Sequence, residues 1–157
     1  MYREIFDVDE IQSQKMVRDF YLSKEFSELT PIKGAQYAMH RLKSHADKMY
    51  VLTGRQDIVR EETETWINHY FPGVFDDVIL TNSYTPNEVK KSAICRALNI
   101  GLIIDDNLQI CKDCKADGVD AIHFIGDGKH EYPWCSEQFP INVNGWELVS
   151  PFEILQR

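Results

Sequence analysis

Ile100-Gly101-Leu102-Ile103-Ile104-Asp105-Asp106-Asn107 decides the fold. Five residues, four of them aliphatic, run straight into two carboxylates and an amide. A short, unbroken apolar run of this kind reads as a strand buried on both faces, as in a parallel sheet with helices on either side. Ligands of such sheets bind beyond the carboxyl ends of the strands. The acidic pair therefore stands where chemistry is expected.

Working outward, the same alternation recurs. Residues 88–98 precede the run as a helix, and a further helix over residues 108–116 ends near Gly118, followed by a strand over 119–124. Upstream, Ala35, Ala38, Met39 and Leu42 recur at helical spacing. Met49-Tyr50-Val51-Leu52 is then a short strand bounded by Gly54. Val59, Thr63, Trp66, Ile67 and Tyr70 share one helical face, stopped by Phe71-Pro72-Gly73, and Val78-Ile79-Leu80 is a second short strand. Residues 9–28 carry apolar residues among charges and read as one or two amphipathic helices. The expectation is an α/β domain with one parallel sheet flanked by helices. Residues 1–30 form a helical segment, 31–125 the core, and 126–157 a closing segment with a short helix or strand after Trp146.

The chain has 157 residues, 43% hydrophobic and 27% charged, which suits one globular domain of ordinary size. Seventeen Lys and Arg against 25 Asp and Glu give a net charge of -8. Duplex nucleic acid is thus excluded as a partner, and a small phosphate-bearing ligand has to be held by a local site. No apolar run reaches the roughly 18 residues that cross a bilayer, and MYREIFDVDE lacks the apolar core of a signal peptide. A cytoplasmic protein with no membrane partner is expected. Its four cysteines are then free thiols.

The residues at the strand ends suggest a chemistry. Thr53-Gly54-Arg55 follows one strand, Asp105-Asp106 another, and Lys90-Lys91 stands ahead of the helix between. Paired carboxylates suit Mg²⁺, whereas a hydroxyl and an ammonium suit phosphoryl oxygens. Singly, each has a plainer reading: Thr-Gly-Arg is a common turn after a strand, and Asp-Asp can cap a helix.

In combination, VLTGR, KKSAICRALNI and LIIDDN resemble the second, third and fourth motifs of the haloacid-dehalogenase-like superfamily. FYLSKEFSELTPIKGA is similar to the end of the small helical cap in its 5'(3')-deoxyribonucleotidase-like branch. The resemblance spans roughly residues 20–146. It implies a Rossmann-like core and a magnesium-dependent phosphohydrolase of phosphate monoesters such as nucleotides. On it, Thr53, Gly54, Arg55 and Lys91 would bind the phosphoryl group, with Thr53 and Lys91 catalytic, and Asp105 and Asp106 would ligate Mg²⁺. Lys91 is preferred to Lys90 by its spacing ahead of Leu98-Asn99-Ile100. Arg55 has the alternative of a salt bridge on the rim.

Active members attack phosphorus with the first Asp of an Asp-x-Asp motif that ends the first, central strand. Here the only Asp-x-Asp is Asp7-Val8-Asp9, preceded by barely two strand-like residues. Its better match in the family is the cap region downstream of the nucleophile. On that reading the first strand is absent or atypical, and the chain is a pseudoenzyme acting as a binding or scaffold subunit, or a truncated form of an active phosphatase. The alternative keeps Asp7 and Asp9 as a degenerate motif. A missing central strand would leave a gap lined by unpaired backbone groups, to be filled by residues 3–8, by a homodimer or partner chain, or by a changed strand order.

Cys111-x-x-Cys114, with Cys135, His123 and His130 downstream, fits no standard zinc module and reads as a core pattern. His40, His45 and His69 lack triad partners and read as surface residues. Trp66 reads as a helix anchor, and Trp134 and Trp146 as pins for the tail.

Overall fold

Among the described residues, four of the five strands form where the apolar runs predict them, and three of these are four residues long. A computed structural model describes residues 6–149, which fall into two units, one up to Pro31 and one from Ile32 onward. In the first unit, α1 (Glu10–Tyr21) starts at a capping box. The Asp9 carboxylate accepts from the Gln12 N–H, and the Gln12 side chain accepts from the Asp9 N–H. A one-turn helix α2 (Lys24–Ser27) follows, its buried Phe26 ring meeting Phe20 and Tyr21 edge-on at 5.6 and 5.3 Å.

The second unit runs α3 (Ala35–Lys43), β1 (Tyr50–Thr53), a 3-10 turn leading into α4 (Arg60–Tyr70), β2 (Asp77–Leu80), α5 (Lys91–Ala97), β3 (Leu102–Asp105), α6 (Leu108–Ala116), β4 (Asp120–Gly126), β5 (Asn142–Asn144) and a closing 3-10 turn, Trp146–Leu148. The helix before β3 starts at Lys91 and not near Glu88. The Val89 N–H is drawn to the Thr81 carbonyl at 2.9 Å, which keeps the preceding residues out of the helix.

The strands pair in parallel, but among the described residues the single sheet expected from the β-α alternation is corrected to two: β1 with β2, and β3-β4-β5 in that order. The two sheets nevertheless share packing partners. On one face, Ala35, Ala38 and Met39 of α3 pack with Ile67 of α4 and with Val51 and Val78 of the two-stranded sheet. Leu42 of α3 and Trp146 reach both that cluster and the one built on Ile122 and Val143, where Leu102 and Ile104 also pack. On the other face, Cys95 of α5 and Cys111 and Cys114 of α6 pack with Ile103 and Ala121, and Leu52 of β1 joins them. Successive strand residues point to opposite faces, so Val51 and Leu52 tie β1 to both helical layers.

What separates the sheets is the lack, among the described residues, of a strand between β1 and β3. Residues 3–5 lie outside the described residues. Phe6 is helical and Asp7 is in a turn with φ 51°, so neither extends into a strand.

Candidate functional site

The carboxyl ends of β1 and β3 open on one cavity of about 530 Å³. Its polar lining is Thr53, Gly54, Lys91, Asp105 and Asp106, and its apolar walls include Leu52, Ile104, Tyr132, Trp134 and Trp146. Thus the strand-end residues marked by the sequence meet in space, apart from Arg55, which does not line the cavity. Arg55 Nη1 donates to the Thr63 hydroxyl on α4 at 3.1 Å, and its backbone N–H donates to Thr53 Oγ1 at 3.3 Å.

Thr53 is held by its neighbour strand. Its carbonyl accepts from the Thr81 N–H at 2.8 Å and from the Thr81 hydroxyl at 3.1 Å. The Ser83 N–H donates to the Gly54 carbonyl at 3.1 Å, and a Cβ on Gly54 would come within 3.0 Å of Ser83 Oγ. A side chain there would require the Ser83 side chain to give way by a few tenths of an ångström.

Across the cavity the acidic pair is heavily engaged. Asp105 Oδ2 lies 2.5 Å from Lys91 Nζ, with the two side chains 5% and 12% exposed, and Asp105 Oδ1 accepts from the Asn107 N–H at 2.9 Å. Asn107, not either Asp, caps the next helix: its Oδ1 accepts from the N–H groups of Gln109 and Ile110. Asp106 Oδ2 accepts from the Trp134 indole at 2.8 Å. Its carbonyl lies 3.2 Å from His123 Nε2 and accepts from the Cys135 thiol at 3.3 Å. Burial raises the Asp106 pKa, and the neighbouring Asp105 charge adds to the shift.

Asp9 is committed to the α1 cap, and Asp7 is an exposed turn residue. Neither follows a strand among the described residues. The thiols offer no substitute nucleophile. Burial pushes Cys111 and Cys114 up to about 12 and Cys135 to about 11, so all three stay protonated at neutral pH. Cys111 donates to the Asp105 and Ile122 carbonyls, the behaviour of a core residue.

Magnesium asks for about six oxygens in near-octahedral array, usually with one or two carboxylates among them. Both oxygens of Asp105 and one of Asp106 already accept hydrogen bonds from the chain. Among the described residues, no group of three or more His, Cys, Asp or Glu side chains gathers at one point. As folded, the pair leaves at most one carboxylate oxygen, Asp106 Oδ1, outside these hydrogen bonds, which is a poor fit to a magnesium ion.

The sequence did not mark Tyr132, Trp134 or His123 for this site. Tyr132 and Trp134 stack at 4.8 Å with planes 11° apart, and His123 is fully buried between Asp106 and Asn142. The alternate aromatics Tyr132-x-Trp134 were the one available signal, and that pattern alone does not say which side chain they meet. No helix among the described residues is long and apolar enough to cross a membrane. No family model matches the chain, and neither curated proteins nor solved structures provide a match.

Proposed function

We propose that this chain is a phosphohydrolase-like domain of the haloacid-dehalogenase type, with a Rossmann-like core, that binds a small phosphate-bearing ligand and turns it over slowly or not at all. The observation that carries the reading is the cavity at the carboxyl ends of β1 and β3, where a hydroxyl and a half-buried ammonium stand beside carboxylates that are largely committed to hydrogen bonds within the chain.

In this reading the Thr53 hydroxyl and Gly54 contact phosphoryl oxygens, and Lys91 supplies the positive charge. Lys91 does so by sharing its three N–H donors between Asp105 and the ligand. Attack on phosphorus needs a carboxylate with an oxygen available and aimed. Asp105 has spent both of its oxygens, and Asp106 is desolvated and tied to Trp134, so no phosphoryl-enzyme forms at a useful rate.

Inorganic phosphate and an aryl phosphate test this. Phosphate should raise the melting temperature along a saturating curve, as ligand linkage requires. Thr53→Val should weaken that binding several-fold. Hydrolysis of the aryl phosphate should be near background. Turnover abolished by Asp106→Ala or by Asp7→Asn would instead make the chain an active phosphatase, and no phosphate-dependent stabilisation would end the binding reading.

A second reading, a scaffold subunit whose sheet is completed by a strand from another chain or a second copy, is favoured by the edges of β1 and β3 that pair with no strand among the described residues.

A further inference from the structure

Asp106 is gripped twice by one short turn. Trp134 holds its carboxylate at 2.8 Å, and the adjacent Cys135 thiol holds its carbonyl at 3.3 Å. This turn is itself anchored. Gly126 and Glu131 form an antiparallel bridge, the Tyr132 N–H donates to the Ile125 carbonyl at 2.7 Å, and Asp127 Oδ1 accepts from the N–H groups of Lys129 and His130 at 2.8 Å. The bridge is tight enough that a Cβ on Gly126 would lie 2.1 Å from the His130 carbonyl oxygen. The Tyr132 ring then stacks against the indole and fixes its plane.

An indole N–H can only donate, so the oxygen that it holds is not free to coordinate a cation. We propose that Trp134 is a latch on Asp106: indole and divalent cation compete for Asp106 Oδ2, and the folded chain withholds that oxygen from Mg²⁺. The phosphohydrolase-like reading enters only in the choice of Mg²⁺ as the cation. Asp105 does not compensate, because Lys91 occupies the position that a cation would take beside it.

The competition is tested by titrating MgCl2 against the melting temperature of the whole chain, wild type and Trp134→Phe, at constant ionic strength. The variant should respond with a midpoint at least tenfold lower than wild type, and Asp106→Asn in the same background should abolish the response. Equal responses, or no response in either, would overturn the latch. Should Trp134→Phe fail to fold, the Trp134 indole N–H resonance of ¹⁵N-labelled wild type is followed to about 50 mM MgCl2, where linkage still reports weak binding. A shift that saturates with Mg²⁺ supports the latch, and an unmoved resonance rejects it. Phosphate stabilisation is measured without Mg²⁺, so either proposal can fail while the other stands.

Discussion

Asp106 has two neighbours that pull its proton affinity in opposite directions: burial and the Asp105 charge raise it, and the Trp134 hydrogen bond lowers it. The balance is upward, so the folded chain binds that proton more tightly than the unfolded chain does. Stability from this group is therefore greatest at low pH. It is lost as pH rises from the ordinary carboxyl value, about 4, through the raised folded value, and then levels off. Asp106→Asn keeps an oxygen for the indole and removes the charge. The variant should gain on wild type across that pH window and equal or exceed it at neutral pH, as read from urea denaturation at a series of pH values. A variant that loses ground as pH rises would show the carboxylate to be favourably solvated or paired. Thr53, Lys91 and Asp106 were legible in the sequence because each stands within two residues of a strand or helix end, which local apolar runs fix. Trp134 was not, because it meets Asp106 across 28 residues of chain with little periodicity to place it.

At the level of elements, the Asp105-Asp106-Asn107 stretch shows two jobs packed into three residues. The carboxylates end β3 in the cavity, and Asn107 turns the chain into α6 by accepting from two orphan N–H groups of its first turn. Asn107→Ala should cost about 1 kcal/mol, within the 0.5–2 kcal/mol spread of N-cap losses, and Asn107→Ser should recover most of it. Urea unfolding of the three proteins decides this, and an alanine variant as stable as wild type would mean that other groups hold the turn. Helices α3, α4 and α6 were legible from apolar spacing because each buries one stripe. Strand β5 was not: only Val143 of its three residues is buried, between two asparagines, which is too short a pattern for alternation to register. The split into two sheets was equally hidden, since strand-like runs say which residues extend and not which edges meet.

For the second unit as a whole, the register determines what those edges offer. The Thr81 N–H donates to Thr53 O and the Asp120 N–H to Gly101 O, so odd-numbered residues of β1 and β3 bond their partner strands. By the alternation of parallel ladders, the backbone groups of Tyr50 and Leu52, and of Leu102 and Ile104, point the other way. Leu52 and Ile104 line the same cavity, and all four residues are half-buried and face no paired strand among the described residues. A buried backbone group without a partner costs about 1–3 kcal/mol and a half-buried one less, so an extended segment that pairs with either edge would gain. Amide exchange should alternate along each strand, with Leu52 and Ile104 fast and Val51 and Ile103 slow. If a second copy supplies the strand, Leu52 and Ile104 should become slow as the chain dimerises with concentration. If another chain supplies it, they should stay fast at every concentration of the isolated protein. Protection of Leu52 and Ile104 equal to that of Val51 and Ile103 in a proven monomer would mean that the edges are already satisfied, and the scaffold reading would lose its support.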